Sequence, residues 1–257
     1  MGRRFRLETL GGPRLRLVTL NTWKGDGAYA RRLTAMASGL AALSPDVVAL
    51  QEALMAPEPG YDTAAHLATS LRMTAASLPL RRKSRMVEGR RVESTSGLAV
   101  LSRLPIRAQR HAPLTTDPRD GERAVLIVDI EAPGRTIAVA CVHLTHLPDA
   151  DELRRRQWRE VEAAVAGSAA AAIVAGDFNA PIGAFDLGSF ADSRQACGEH
   201  ETATLVEDPA ACIDHVLFTN GRGLTATGWR TALGSPPPGC AAAPSDHLAV
   251  VADFNWV

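Results

Sequence analysis

Residues 170–181 read AAAIVAGDFNAP, an apolar run that changes to polar residues within a few positions. A short continuous apolar run is typical of a strand that is buried on both faces of its sheet. We predict that this strand breaks at Gly176 and presents Asp177 and Asn179 at its end. Residues two apart point the same way while a chain stays extended, so these two side chains would act on one ligand.

Three other apolar runs carry a polar residue of a catalytic type at or near their ends. They are RLRLVTLN, which ends at Asn21, DVVALQE, which ends at Glu52, and RTIAVACVHL, which contains His143. One such ending means little, but strand ends are where a rigid scaffold aims several side chains into a common cleft. The repeated pattern therefore predicts one polar cleft that is built from strand ends.

The first half of the chain alternates between helix and strand patterns. Apolar residues at roughly helical spacing predict a helix from Ala28 to Leu43, and a strand follows from Asp46 to Glu52. Thr63 to Leu71 is a second predicted helix. From there to Leu144 the patterns are mainly those of strands, with a hairpin turn at Pro133-Gly134.

The second half continues with a strong helix pattern and then returns to strands. The helix starts near Asp149 and ends at Gly167, and the segment from Gly183 to Cys212 is expected to be irregular. This order of elements predicts an α/β fold with two mixed sheets and helices outside them. Because 257 residues can bury one large core, we predict a single domain over residues 1–257.

Composition and charge disfavour several classes of protein. The 28 basic and 28 acidic side chains give a net charge of zero, so no global field draws the chain to duplex DNA or an anionic membrane. No apolar run is long enough for a membrane span, and the basic N-terminus lacks the apolar run of an export signal. The four cysteines form no CxxC pair, and Cys141 is expected in the core. We therefore expect a cytoplasmic monomer with reduced thiols and no stable membrane insertion.

Seven short motifs follow one another along the chain: TLNTW, DVVALQE, SGLAVLSRLPI, VHLTH, GDFNAP, IDHVLF and SDH. The set resembles the endonuclease/exonuclease/phosphatase superfamily, which includes DNase I-like nucleases, abasic-site endonucleases, sphingomyelinases and inositol-polyphosphate phosphatases. The resemblance extends from Leu17 to Val251. It implies a DNase I-like four-layer α/β sandwich, in which two mixed, mainly antiparallel sheets are flanked by helices. It also implies hydrolysis of a phosphoester bond by in-line attack of an activated water.

The resemblance implies a metal site on the motifs that contain Asn21, Glu52 and Asp246. Glu52 matches the family's metal-ligand glutamate. A hard Mg²⁺ ion takes a few oxygen ligands and keeps several waters, so Glu52, Asp246 and the carbonyl of Asn21 would suffice. Mn²⁺ would be a substitute for Mg²⁺.

The resemblance also implies how a water is activated and a phosphate held. Asp214 would fix the tautomer of His247, whose other ring nitrogen would act as general base, and the carboxylate would raise the histidine pKa somewhat above about 6.5. Alternatively, Asp177 is the base, and the sequence leaves this open. Asn179 would bind a phosphoryl oxygen, and His143 would donate to the phosphate or the leaving oxygen.

Two departures from the family patterns reduce the number of substrate classes that we expect. The abasic-site endonucleases have an acidic residue where this chain has Trp23, and the segment from Ala191 to Ala211 has no aromatic residue for base stacking. These features favour a small phosphoester or a phospholipid headgroup as substrate, with a DNA or RNA nuclease as the alternative. A catalytically inactive binding module is disfavoured because no expected site residue is missing. The sequence does not distinguish a monoester from a diester.

Three further patterns have both a structural and a functional interpretation. A local basic cluster is either a solvated hairpin or a rim that binds an anionic substrate; it consists of Arg81, Arg82, Lys83, Arg85, Arg90 and Arg91. The spacing of His143 and His146 is a weak zinc signal without two further ligands, and His146 is expected at the rim. The pair Arg154 and Gln157 is explained by packing and helix-surface ion pairs.

Overall fold

A computed structural model describes residues 14–166, 171–200 and 202–256, and within these ranges twelve strands form two six-stranded sheets. The first sheet contains β1 (Arg14–Asn21), β2 (Val47–Met55), β3 (Thr74–Val87), β4 (Arg90–Ser102), β11 (Leu224–Ala232) and β12 (Ala249–Trp256). The second sheet contains β5 (Ile106–Leu114), β6 (Arg123–Ala132), β7 (Arg135–His143), β8 (Ala171–Asp177), β9 (Phe190–Asp192) and β10 (Asp214–Thr219). The helices are α1 (Tyr29–Leu43), α2 (Thr63–Leu71), α3 (Asp151–Ala166) and α4 (Ser193–Ala196).

Each sheet is antiparallel except for one parallel pair of strands. The strand orders are β11-β12-β1-β2-β4-β3 and β5-β6-β7-β8-β10-β9, and the parallel pairs are β1 with β2 and β7 with β8. Parallel neighbours need a crossover connection, and α1 and α3 supply it. The carboxyl ends of the pairs carry Asn21 beside Gln51 in the first sheet and His143 beside Asp177 in the second.

Side chains alternate between the two faces of each sheet and so create four layers. In β1, Leu15 and Leu17 belong to the apolar core between the sheets, whereas Val18 and Leu20 pack outward with residues of α1 and α2. In the second sheet, the outward face packs with α3, where Trp158 is fully buried. The order helix, sheet, sheet, helix confirms the predicted DNase I-like sandwich with mixed, mainly antiparallel sheets.

Most predicted elements are confirmed within two residues, and two predictions need correction. The strand predicted to end at Glu52 continues to Met55, because a bulge between Leu50 and Ala53 absorbs Gln51 and Glu52. The segment predicted to be irregular, Gly183 to Cys212, contains the short strand β9 and the short helix α4. The predicted helix end at Gly167 lies outside the described residues.

The expectations for the β6–β7 turn, the basic cluster and Cys141 are also confirmed. The hairpin between β6 and β7 turns at Pro133 and Gly134, and the basic cluster lies on the hairpin of β3 and β4. Cys141 is buried in the core. Among the helices in the described ranges, none is long and apolar enough to cross a membrane.

Gly176 is a position where the fold requires glycine. Its φ is +153°, and a Cβ atom there would lie 2.0 Å from the carbonyl oxygen of Val142 on the neighbouring parallel strand. We expect Gly176→Ala to lower the free energy of unfolding by about 1–3 kcal/mol. The reason is that the hydrogen bonds of the sheet hold the neighbouring backbone in place, so it cannot move away from the added methyl group. Urea denaturation measures this change. Gly183→Ala is the control, since nothing lies within 4 Å of that position; equal stability of the two variants would contradict the prediction.

Candidate active site

The carboxyl ends of both parallel strand pairs open into one cavity of about 310 Å³. Seven of the eight predicted site residues line it: Asn21, Glu52, His143, Asp177, Asn179, Asp246 and His247. The eighth, Asp214, is buried and contacts the ring of His247. The structure therefore brings the whole predicted set together, with contributions from both sheets.

The carboxylate of Asp177 is buried in this cavity and has four polar partners. Its Oδ1 accepts a hydrogen bond from the backbone N–H of Asn179 at 2.8 Å, and its Oδ2 accepts one from Nδ2 of Asn21 at 3.0 Å. Nε2 of His143 lies 3.5 Å and Nε2 of His247 lies 3.9 Å from the same Oδ2. Burial and the charge of Asp214 raise the pKa of Asp177 to about 7, although His247 and Asn21 oppose the shift. Asp177 can therefore exchange a proton near neutral pH.

His247 and Asp214 form a buried hydrogen-bonded pair. Nδ1 of His247 lies 2.9 Å from Oδ2 of Asp214, so Nδ1 carries a hydrogen and Nε2 faces Asp177. Burial opposes the charge on His247, but the charge and hydrogen bond of Asp214, with the charges of Asp177 and Asp246, raise its pKa to about 9. The direction matches the expectation from the sequence, and the rise is larger than expected. A pKa of about 9 favours the imidazolium form of His247 at neutral pH.

His143 has the opposite electrostatic setting. It ends β7, and burial, followed by the charges of Arg123, Lys24, His247 and His146, holds its pKa well below the ordinary histidine value. A neutral imidazole donates one hydrogen bond and accepts another. His143 can therefore offer a single N–H to Asp177 or to a ligand oxygen in the cavity.

Glu52 reaches the cavity because of the bulge in β2. Its φ is +54°, a left-handed conformation that non-glycine residues seldom adopt, and such strain is concentrated at functional positions. Its Oε1 lies 2.8 Å from Nζ of Lys24, which also lines the cavity. Asp246 lines the same cavity from the loop before β12, and its Oδ1 accepts a hydrogen bond from Ser245 at 3.1 Å.

Asn21 and Asn179 are held by several hydrogen bonds. Asn21 donates to Asp177, while its side-chain oxygen accepts from the backbone of Trp23 at 3.0 Å and its backbone oxygen accepts from Ser245 at 2.6 Å. Both carbonyl oxygens of Asn21 are thus already engaged. Asn179 has a φ of +51°, so the chain does not stay extended after Asp177 as expected; Asn179 reaches the cavity through a left-handed turn instead.

A charged pair at the cavity wall was missed from the sequence. Arg123, at the start of β6, contacts both oxygens of buried Asp120 and donates to the backbone oxygen of His143 at 3.4 Å. Asp120 also accepts from the hydroxyl of Thr145 at 2.7 Å. His146 is half exposed, as expected of a rim residue, and Nδ1 lies 3.1 Å from Arg123. The stretch DPRDGER reads as a solvated charged loop, so only the spatial position of Arg123 reveals its place at the cavity.

The packing interpretation of Arg154 and Gln157 is confirmed, and both side chains also hold the loop that follows His143. Gln157 accepts from the backbone N–H of Thr145 at 2.8 Å and donates to the backbone oxygen of Thr115 at 2.7 Å. Arg154 donates to the backbone oxygens of Thr145 and Leu147 at 3.2 and 2.6 Å. Helix α3 therefore fixes the loop that follows His143.

Arg32 of α1 holds the loops on the other side of the cavity. The side chain is buried and donates to the backbone oxygens of Thr22 and Pro244 at 2.9 and 3.0 Å, and also to those of Trp23 and Lys24. Its guanidinium lies 4.9 Å from the centre of the Trp23 ring. One arginine thus joins the loop of Lys24 to the loop of Asp246.

The pair of His247 and Asp214 predicts a measurable titration. In EDTA, the ring signals of His247 in an NMR titration should report a pKa far above 6.5, because the carboxylate stabilises the imidazolium. Folding raises the pKa of His247. The contribution of its charged form to the free energy of unfolding is therefore complete below about pH 6.5 and is lost as the pH rises through about 9. Asp214→Asn should move the midpoint down.

The internal control is the ring signals of His66, which is exposed on α2 and does not line the cavity. An unchanged His247 midpoint in Asp214→Asn would contradict the assigned pairing.

Comparisons with known proteins identify the family and the fold of the chain. Residues 18–247 match the model of the Endonuclease/Exonuclease/phosphatase family. No curated protein matches the chain. An endonuclease/exonuclease/phosphatase from Beutenbergia cavernae is 23% identical with a TM-score of 0.72, over 95% of this chain and 72% of that one.

Two further solved structures are similar. The human nocturnin catalytic domain with bound sulfate is 20% identical with a TM-score of 0.74, over 96% of this chain and 95% of that one. TDP2 from D. rerio, complexed with a single-strand DNA product, is 18% identical with a TM-score of 0.71, over 94% and 99%. At these identities, the likeness shows a shared fold.

Proposed function

The chain belongs to the endonuclease/exonuclease/phosphatase family, and on that premise we propose that it is a divalent-metal-dependent hydrolase of phosphoester bonds. The observation that carries the proposal is one cavity in which Glu52 of β2 and Asp246 of the loop before β12 face Asp177 and the Asp214–His247 pair. Phosphoryl transfer depends mainly on positioning and charge stabilisation, which such a fixed polar cavity provides.

The residues around Glu52 fit a divalent cation. The ammonium of Lys24, 2.8 Å from Oε1 of Glu52, marks a position where a positive charge is stable, and Asp246 supplies a second carboxylate to the same cavity. Hard ions such as Mg²⁺ or Mn²⁺ take oxygen ligands of this kind. When bound, the ion would polarise the phosphoryl oxygens and neutralise their charge. We propose Glu52 and Asp246 as ligands, with the oxygens of Asn21 as a weaker candidate because they are already engaged.

A second acidic group also has the spacing of a cation site. Ligand atoms of Asp177, Asp214 and His247 lie within 4.8 Å of one another. However, the 2.9 Å contact between His247 and Asp214 uses one ligand atom of each residue, and a ring nitrogen is not a preferred ligand of a hard ion. We therefore assign proton transfer rather than metal binding to this group.

Of the two candidates for the general base, the electrostatics favour Asp177. Its pKa of about 7 suits uptake of a proton from an attacking water, whereas His247, with a pKa of about 9, already carries its proton at neutral pH. In this proposal, Asp177 takes the water proton while the water oxygen attacks phosphorus. His247 donates a hydrogen bond from Nε2 to a phosphoryl oxygen, with Asn179 as a second donor. His143 donates a hydrogen bond to the leaving oxygen, which takes its proton from water.

The substrate that we propose is a small phosphoester or a phospholipid headgroup, and a nuclease is the second candidate. The similar structure of TDP2 from D. rerio is a complex with a single-strand DNA product, so a nucleic acid is the second candidate substrate. Trp23 is the aromatic residue that lines the cavity, and Arg32 lies over its ring, which leaves less of it for stacking with a base. The zero net charge also provides little attraction for a long polyanion.

Removal of divalent ions should abolish hydrolysis of bis(4-nitrophenyl) phosphate and 4-nitrophenyl phosphate, and Mg²⁺ should restore it. Glu52→Gln should lower kcat/KM by at least about 100-fold and weaken Mg²⁺ binding in calorimetry, because a charged ligand is lost. Glu58→Gln, at an exposed position after β2, is the matched control and should change neither quantity. Full activity in excess EDTA would refute the metal dependence.

A further inference from the structure

A second cavity, of about 360 Å³, lies next to the first, on the hairpin of β3 and β4. Its lining consists of Lys24, Asp26, Arg81, Lys83, Ser84, Arg85 and Met86. Lys24 and Arg81 line both cavities, so the second begins where the first ends. A ligand that fills the first cavity can therefore extend into the second past these two side chains.

The side chains that line the second cavity are mainly positively charged. Four of its lining side chains are cationic and one, Asp26, is a carboxylate. Lys24 has an acidic partner in Glu52, which belongs to the first cavity. Within the described ranges, the side chains of Arg81 and Lys83 form no ion pair. Unpaired cations that share a concave surface create a positive potential that attracts an anion.

The side chain of Arg85 is held in a fixed position in this cavity by hydrogen bonds. Its guanidinium donates to the backbone oxygen and the hydroxyl of Ser94, both at 3.0 Å, and to the hydroxyl of Ser96 at 3.0 Å. These partners are neutral. Burial, and after it the charge of Arg81, lower the pKa of Arg85, and the charges of Asp26 and Glu52 oppose this shift. The two neighbouring guanidinium groups repel each other, and an anion that approaches both relieves this repulsion.

The position of Arg81 links this charge to the first cavity. Its Cδ lies 2.5 Å from where a Cβ atom of Gly121 would be, so the side chain crosses closely over the loop that contains Asp120 and precedes Arg123. A Cβ atom at position 121 would therefore displace the side chain of Arg81. Although it is exposed, Arg81 thus lies along the wall that the two cavities share.

We propose that the second cavity binds a phosphate group of the substrate other than the one that is cleaved, so that the substrate is a small phosphoester with two phosphates. This inference rests on the proposed function and adds a substrate class to it. Guanidinium and ammonium groups match phosphate oxygens in charge and in hydrogen-bond geometry. Hydrolysis in the first cavity would then leave the second phosphate on the product.

The test is a calorimetric titration in EDTA, so that binding is measured without turnover. The probes are glucose 1,6-bisphosphate and glucose 1-phosphate, which differ in one phosphate. The wild-type protein should bind the bisphosphate about ten-fold more tightly, which is the effect of one charge-assisted contact. Lys83→Ala should remove most of this preference, because Lys83 lines the second cavity and not the first.

Arg82→Ala is the matched control, because Arg82 is exposed on the same strand and lines neither cavity. Equal binding of the two probes by the wild-type protein, or equal losses in Lys83→Ala and Arg82→Ala, would overturn the proposal. Tighter binding of a short single-stranded DNA than of the bisphosphate, with the same dependence on Lys83, would assign the cavity to a nucleic acid and would also overturn it. A retained bisphosphate preference without any Mg²⁺-supported hydrolysis would instead refute the proposed function alone.

Discussion

The hydrogen bond from Asn21 to Asp177 joins the two sheets at the candidate active-site cavity. Asn21 ends β1 of the first sheet and Asp177 ends β8 of the second, and their side chains meet at 3.0 Å. A fully buried carboxylate is unfavourable unless it is hydrogen-bonded and paired. The partners of Asp177 come from both sheets, so its state depends on how the whole sandwich is assembled.

The fold satisfies this constraint by repeating one arrangement in each sheet. A parallel strand pair, connected by a helix, places Asn21 in one sheet and His143 with Asp177 in the other at the same end of the sandwich. Parts of the same helices then hold the neighbouring loops by their backbone oxygens, through Arg32 on α1 and Arg154 on α3. Hydrogen bonds thus hold the loops on both sides of the cavity, which suits the positioning role proposed for it.

Much of this was predictable because apolar strand runs end abruptly in polar residues, as at Asn21 and Asp177. The bulge that turns Glu52 and the left-handed turn at Asn179 were not predictable, because backbone conformation at a strand end depends on tertiary contacts rather than on residue type. Arg123 was missed for a related reason: a charged loop resembles a solvated one until Asp120 is buried against it. The pKa of His247 likewise depends on burial and on Asp177, which lie outside the SDH motif.

A double-mutant cycle on Asn21 and Asp177 measures the central interaction directly. The readout is kcat/KM for Mg²⁺-supported hydrolysis of a nitrophenyl phosphoester by the wild-type protein, Asn21→Ala, Asp177→Ala and the double variant. If Asn21 acts by holding the catalytic carboxylate, its substitution should cost far less once Asp177 is gone, with a coupling energy of about 0.5–3 kcal/mol. Fully additive losses would show that the two residues act independently and would contradict the role given to their contact.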